Sequence, residues 1–463
     1  MDAATNERLT RVGPGQPTGD LMRCFWQPVA LVDEFDASLD ARMKDRPVKK
    51  VRLLGQEFVL FRDDQGQWSM LDRDCPHRGA DLSFGRYEGD GLRCPFHGWK
   101  FDVTGQCVDT PAEPEDSKLC TRIQQRRYPV QEASGVLFAW LGQAEAAPPL
   151  PALDCFAAPN SHTFAFKGLW HCNWLQAFEV GIDPAHTSFL HRFFADAPVD
   201  GEAYGKQFRG ASAGDVNGEA WPMTRIMREA CRPQIGFEAK PYGFEITTRR
   251  HLSDALEHVR VTHAIAPHTF VIPLSRTMTI TQMHVPVDDH NTYWVSIFTS
   301  FAEPVDKDTM RRQRLAGVTL PDYLPVQGAH NDWGYDPQEQ ATQTYLGMGE
   351  EDINVHDQWA CESMGRIQDR TREHLASTDV VIAANRRWLR TALDGLAQGV
   401  VPESVARAEV AQATTGPDTV DGIAPADTWQ QWWREQVQAK RAQAAWQNPA
   451  YSPAHSPAHS PKA

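Results

Sequence analysis

The sequence predicts an α+β chain: an all-β N-terminal domain, then a larger domain in which antiparallel strands are followed by helices. Three observations carry that expectation. Short β-rich runs separated by turn residues fill the first third. An Ala/Pro-rich stretch, "GQAEAAPPLPALD" at 142–154, interrupts the chain. Beyond it, a strand-like block at 243–300 precedes a helical block at 352–399.

Taken in order, "VRLLGQEFVLFRD" and "WSMLDRDC" are β-rich runs joined through the turn "DDQGQ", and "LRCPFHGWKFDVTGQCVD" and "RRYPVQEASGVLFAWLG" continue that style. The linker puts the domain boundary near 150, giving domains at 1–150 (with an N-terminal extension) and 151–440. "WHCNWLQAFEVGIDPAHTSFLHRFF" at 170–194 has apolar residues at helical spacing, interrupted by Pro184. "YGFEITTRRH", "RVTHAIAPH" and "TYWVSIFTSF" alternate as strands do. The block at 352–399 reads as two helices broken near "ASTD". The end, 441–463, carries the repeat "SPAHSPAHSPKA" and reads as a disordered tail.

The 463 residues carry 46 Lys and Arg against 60 Asp and Glu, a net charge of −14. That balance argues against nucleic-acid binding, which needs basic surface. No run of about 18 apolar residues suggests a membrane span. The start, "MDAATNERLTRVGPGQ", is polar and lacks the apolar core of a secretory signal, so a cytoplasmic location is expected. Nine cysteines, an odd number, argue against a disulfide scaffold there; Cys24, Cys172 and Cys231 read as plain buried thiols.

"CPHRGADLSFGRYEGDGLRCPFHGW" concentrates chemistry. It reads Cys75-x-His77, 16 residues, then Cys94-x-x-His97. Two thiolates and two imidazoles suit zinc or an iron–sulfur centre. Structural zinc sites usually space their first pair by two to four residues, whereas only Pro76 separates Cys75 from His77. The halves repeat, "CPHRG" and "CPFHGW", which suggests two similar loops. Such a pair suits a two-iron cluster in which one iron takes both thiolates and the other both imidazoles.

"CPHRGADLSFGR…LRCPFHGWKFD" resembles the cluster motif of the Rieske non-haem iron oxygenases. The resemblance implies a Rieske [2Fe-2S] cluster with Cys75 and Cys94 on one iron and His77 and His97 on the other. The second ring nitrogens of the histidines are then free as an electron exit. It spans roughly residues 10–400 and is nearest the phthalate 4,5-dioxygenase-like branch, which includes aryl-carboxylate hydroxylases and aryl-ether O-demethylases. It also implies the architecture: an all-β Rieske domain, then a catalytic domain with a curved antiparallel sheet packed on helices.

A cluster alone only carries electrons, so a second centre is sought. "NWLQAFEVGIDPAHTSFLH" offers Asn173, Glu179, Asp183, His186 and His191. Two histidines and one carboxylate with open positions form the ligand set of oxygen-activating non-haem Fe(II). Asp-x-x-His-x4-His resembles the family's mononuclear iron motif, whose third ligand is an Asp far downstream on a helix. Asp352, Asp357, Glu362 and Asp369 compete for that role. The resemblance favours Asp357, with Asp352 next, and "ESMGRIQDRTREHL" after it is similar to phthalate 4,5-dioxygenase-type chains. Asp183, three residues before His186, is placed to accept the free N–H of that ligand. The resemblance adds a bridge from Asp183 to the Rieske histidine, His97, of a neighbouring subunit.

The resemblance further implies a terminal oxygenase with O2 as cosubstrate. The chain has no dinucleotide fingerprint and no all-Cys cluster motif. Electrons from NAD(P)H are therefore expected through a separate flavin and iron–sulfur reductase. A homotrimer, or a hexamer of stacked trimers, is implied. The favoured substrate is an aromatic carboxylate of phthalate or benzoate type, oxidised by ring hydroxylation, with O-demethylation of a methoxylated aromatic acid as the alternative. A Rieske electron-transfer protein is the reading from another class. Trp170, Trp174, Phe178 and Phe270 are candidates for an aromatic pocket. Arg249, Arg250 and Arg260 are candidates for a carboxylate, though any strand arginine is expected first on the outer face of the sheet.

Overall fold

The structure is a computed structural model and describes residues 1–142, 147–197, 212–349, 353–406 and 416–447. The N-terminal third is built of three small antiparallel sheets. One runs Val48–Leu53, Gln56–Arg62, Trp68–Asp72 and Arg127–Tyr128. A second joins Gln27–Leu31 to Val136–Ala139 and Val130–Ala133. The third runs Arg86–Tyr87, Gly91–Arg93, Lys100–Asp102 and Cys107–Asp109. A compact core of Val59, Phe61, Leu71, Leu92, Trp99 and Phe101 joins the first and third sheets under Cys75 and Cys94.

Beyond residue 160 one large antiparallel sheet dominates. Its order is Thr163–Trp170, Asn291–Ser300, Met278–Asp288, Thr269–Pro273, Leu256–Ile265, Gly243–Ser253 and Gln234–Lys240. Val420–Pro425 comes back to pair with the first half of Leu256–Ile265, beside the short Thr269–Pro273 strand. The helix Trp174–Gly181 packs on the Met278–Asp288 and Asn291–Ser300 strands. One continuous core runs from the N-terminal sheets into this layer, joining Phe58 and Leu137 to Phe166, Phe178, Met283 and Trp294.

The segment 170–194 is shorter in helix than its periodicity suggests. Asn173 caps the helix start, its Oδ1 accepting the Leu175 N–H at 3.1 Å, and the helix stops at Gly181, three residues before Pro184. The helical block at 352–399 resolves into Asn354–Ser363 and Val380–Leu396. Of the expected tail, residues 441–443 continue the Trp429–Gln443 helix, and Trp446 is buried against Phe301 with its indole N–H donating to the Ser300 carbonyl at 3.2 Å. An aromatic side chain with a satisfied N–H is what ties this segment down. The SPAH repeat lies outside the described residues.

Candidate metal centres

The two halves of the Cys/His motif fold as the same turn. The Cys75 N–H donates to the Ala80 carbonyl at 2.8 Å and Gly79 N–H to Cys75 at 2.8 Å. In the second half Cys94 N–H donates to Trp99 at 2.8 Å and Gly98 N–H to Cys94 at 3.0 Å. The repeated glycine has its reason here: Gly79 and Gly98 sit at φ 78° and 79°, the left-handed region that a Cβ disfavours.

These turns bring the four side chains together as two pairs. Cys75 and Cys94 are both buried, with neighbouring thiols; burial, reinforced by Cys94, pushes the Cys75 thiol up to about 11. The His77 and His97 rings lie 4.4 Å apart, and His77 stacks on Trp99 at 4.4 Å and 8°. The buried His77 Nδ1 has no hydrogen-bond partner. Among the described residues, only one trio of His, Cys, Asp or Glu places all its ligand atoms within 4.8 Å of one another, and it is not drawn from these four. A single zinc would gather all four at one point. Separate thiol and imidazole pairs, with an unpartnered imidazole nitrogen, fit a two-iron cluster.

That trio is His186, His191 and Asp357. Pro184 ends the helical path, and a short 3-10 turn at His186–Ser188 follows. His186 Nδ1 is hydrogen-bonded to the Asp183 backbone carbonyl. A carbonyl only accepts, so Nδ1 carries the proton and the neutral ring offers Nε2 as a lone pair. Burial, the largest effect on His186, pushes its pKa below the usual value and so favours that neutral form. His186 Nε2 and His191 Nε2 lie 3.7 and 3.1 Å from Asp357 Oδ1. The Asp357 carboxylate stands at the meeting point of the two rings. Its Oδ1 is buried and has no hydrogen-bond donor. Two imidazole nitrogens and a carboxylate oxygen that converge here, with no hydrogen-bond donor to the buried Oδ1, fit a divalent cation.

The competing residues are engaged elsewhere. Glu179 is clamped by Arg386 (2.6 and 2.8 Å) and Arg370 (3.1 Å). The Asn173 amide N–H group ties the Thr10 and Asp289 carbonyls together. Glu362 accepts the His171 N–H at 2.7 Å and the Trp333 indole N–H at 2.8 Å. Asp369 caps the turn at Arg370–Arg372. Asp352 lies outside the described residues. Asp183 needs a correction. His186 bonds its backbone carbonyl rather than its carboxylate, which lies 3.8 Å from Nδ1 and accepts the Ala185 N–H at 2.8 Å instead. A carbonyl of the same residue is closer to the ring, so the side chain is left 22% exposed for another donor.

A cavity opens beside the trio, and the sheet lines it with every second residue. Thr248 and Arg250, Arg260 and Thr262, Phe270 and Ile272, Ile280 and Gln282, and Trp294, Ser296 and Phe298 share this face. Ladder register pairs Ile280 with Phe298 and Gln282 with Ser296. Of the four aromatic candidates only Phe270 lines the cavity; Trp170, Trp174 and Phe178 are core. Trp294 and Phe298, which take that role, were not singled out by sequence. The alternation within "TYWVSIFTSF" was the available signal, but it does not say which parity faces inward.

The arginines also divide by parity. Arg249 points outward to Glu257 (3.1 Å) and Gln234 (2.6 Å). Arg250 and Arg260 lie on the inner face, against the expectation that strand arginines face out. Arg260 is paired with Asp421 and donates to the Pro273 carbonyl. Arg250 is 1% exposed; its Nη2 donates to the Pro184 carbonyl and Thr187 Oγ1, both at 3.0 Å, but its Nε and Nη1 have no partner among the described residues. Burial lowers its pKa to about 10, against the pull of Asp183.

Among the described residues no helix is long and apolar enough to cross a membrane. Family models match this chain as a Rieske [2Fe-2S] domain over residues 26–129 and as a LigXa C-terminal domain like region over 139–452. The chain is 33% identical over 410 residues to the tert-butanol monooxygenase / tert-amyl alcohol desaturase oxygenase subunit of Aquincola tertiaricarbonis, covering 85% of this chain and 78% of that one. It is 31% identical to the phthalate 4,5-dioxygenase oxygenase subunit of Pseudomonas putida, covering 85% and 86%. It is 28% identical to the 5,5'-dehydrodivanillate O-demethylase oxygenase subunit of a Sphingobium species, covering 88% and 84%. Its fold is similar to that of Pseudomonas putida CBB5 NdmA, with a TM-score of 0.54, 17% identity and coverage of 88% and 98%. A pair of Cys/His loops in one β domain and a two-histidine, one-carboxylate cluster in the next accord with these matches: this chain belongs to the Rieske non-haem iron oxygenases, as an oxygenase subunit that uses a [2Fe-2S] cluster and a mononuclear iron.

Proposed function

We propose that this oxygenase acts on an aromatic carboxylate of phthalate or benzoate type, by ring hydroxylation. The observation that carries the reading is Arg250. A guanidinium buried beside an aromatic-lined cavity, with two nitrogens unpartnered, stands at a high desolvation cost that a carboxylate ligand offsets. Phe270, Trp294 and Phe298 supply apolar walls for a ring. Gln282, fixed by the Ser296 hydroxyl donating to its Oε1 at 2.7 Å, offers a neutral polar group on the same face. O-demethylation of a methoxylated aromatic acid is the second reading, favoured by the likeness to an O-demethylase subunit over 88% of the chain.

In this reading His186, His191 and Asp357 hold the mononuclear iron, and Cys75, His77, Cys94 and His97 hold the cluster. Together the two centres supply O2 activation with electrons delivered one at a time. The protein's own part is to orient the acid through Arg250, to keep both imidazole Nε2 atoms unprotonated and to enclose the ring. Electrons come from a separate flavin and iron–sulfur reductase. The working unit is a homotrimer or a hexamer of stacked trimers, in which the Asp183 carboxylate takes a hydrogen bond from His97 of a neighbouring copy. The domains are those at 1–150 and 151–440, and the location is the cytoplasm.

The test is a panel of aromatic acids, their methyl esters and a tertiary alcohol, assayed for substrate-dependent NADH and O2 consumption with a surrogate reductase. Free acids should turn over and esters should not, and Arg250→Met should raise KM for the acid by about tenfold or more. Equal use of acid and ester, or preference for the alcohol, overturns the reading.

A further inference from the structure

The two histidines of the mononuclear site are oriented in different ways. His186 donates its Nδ1–H to a backbone carbonyl, an acceptor that cannot change its role. His191 Nδ1 instead faces another ring nitrogen, His356 Nδ1, at 3.3 Å, and the two rings stack at 5.4 Å and 23°. His356 is 0% exposed and precedes Asp357 on the Asn354–Ser363 helix. Its other nitrogen, Nε2, lies 2.8 Å from the Gly349 carbonyl. The Gly349 peptide is held in turn: its N–H donates to both oxygens of Glu339 at 3.1 Å.

We propose that His356 is a positioning residue of the iron centre that fixes the His191 tautomer, an inference that rests on His191 being an iron ligand. The Gly349 carbonyl only accepts, so His356 Nε2 carries the proton. Neutral His356 then has a bare Nδ1, which accepts the His191 Nδ1–H. His191 Nε2 is left as the lone pair, on the side facing Asp357 Oδ1 at 3.1 Å. The chain of donors runs one way, from His191 through His356 to Gly349, and one helix supplies both the carboxylate of the trio and the group that orients its neighbour.

Two substitutions separate this role from packing. The Oδ1 of His356→Asn falls near the position of Nδ1 and can still accept from His191. The side chain of His356→Gln reaches the Nε2 position and keeps the Gly349 bond, but leaves His191 Nδ1–H without an acceptor. Cluster-loaded protein is stripped of mononuclear iron with a chelator, then dialysed to equilibrium against Co(II), and bound cobalt is counted per cluster. The Asn variant should bind within about threefold of wild type, and the Gln variant about 10–100-fold more weakly, with the cluster's visible spectrum and the melting temperature unchanged. Equal binding by both variants, or tighter binding by Gln than by Asn, overturns the proposal, since a role in packing or in holding Gly349 favours Gln. His191→Ala is the control: if it retains full cobalt binding, the ligand assignment itself fails, whereas loss there with none in His356→Gln rejects only the relay. Wild-type protein labelled with 15N-histidine gives a check free of variants. His356 must carry its proton on Nε2, and a proton on Nδ1 overturns the proposal.

Discussion

The two candidate metal centres are built on opposite plans. The Cys75–Trp99 centre is one short stretch folded twice into the same turn, with matching N–H to carbonyl bonds at Cys75 and Cys94 and matching left-handed glycines. The trio of His186, His191 and Asp357 is assembled from a broken helix end and a distant helix, and each member has its own support: a backbone carbonyl, a second imidazole and a helical turn. Local repetition makes the first centre robust to what the rest of the chain does. The second exists only once the large sheet and both helices are in place. Selective loss is therefore expected to run one way, with the iron trio failing while the cluster loops stay intact.

The largest expected effect is at the local centre. Cys94→Ala removes a thiolate, and alanine offers no replacement ligand. The visible cluster spectrum and turnover should disappear together, as read by absorbance and by O2 consumption. A Cys94→Ala protein that keeps the cluster spectrum breaks the assignment of the loop pair.

At the assembled centre the expected loss is as complete for turnover but leaves the cluster untouched. Asp357→Ala, His186→Ala and His191→Ala should each abolish substrate oxidation and lower mononuclear iron, with an unchanged cluster spectrum. Iron analysis alongside absorbance separates the two centres. Full iron and activity in Asp357→Ala would pass the role to another acid.

The same contrast explains what could be read from the sequence. The β domain, the strand block and the loop pair follow from spacing within a few residues, and all three are present. Which members of a distributed set face inward depends on sheet register, which spacing does not fix. Arg249 and Arg250 are adjacent in sequence yet on opposite faces of the Gly243–Ser253 strand. Trp170, Phe178, Trp294 and Phe298 all belong to one continuous core, but only Trp294 and Phe298 also line the cavity. Local spacing puts the Asp183 side chain beside His186, but backbone geometry after the helix end presents the carbonyl first.

A smaller effect tests whether the two centres communicate across subunits. Two roles for Asp183 can be told apart. Its Oδ1 accepts the Ala185 N–H, a bond that an asparagine Oδ1 can also accept. Its second oxygen lies 3.8 Å from His186 Nδ1, on a side chain that is 22% exposed. If the carboxylate is only a local turn former, Asp183→Asn should leave turnover nearly unchanged. As a bridge to a neighbour's His97, the same change should retain both metals and the oligomer while turnover falls about 10–100-fold. Single-turnover oxidation of the reduced cluster on adding O2 and substrate reads the transfer directly. Rapid oxidation in the Asn variant rejects the bridge.

The smallest expected effect compares the two loops of the first centre with each other. Gly79 and Gly98 have the same backbone conformation, so an alanine at either carries the left-handed penalty of about 1–2 kcal/mol. Their surroundings differ. A Cβ built at Gly79 meets no protein atom within 4 Å, whereas one at Gly98 lies 2.7 Å from Pro111 Cγ, a ring that cannot rotate away. Gly98→Ala should therefore add an overpacking cost of about 1–3 kcal/mol to the backbone cost it shares with Gly79→Ala. Thermal melts of the cluster-loaded proteins should rank wild type above Gly79→Ala and Gly79→Ala above Gly98→Ala. Substituting Pro111→Ala in the Gly98→Ala background should recover the difference between the two glycine variants, because it removes the ring and leaves φ as it was. If the double variant melts no higher than Gly98→Ala alone, the two loops differ for a reason other than this contact.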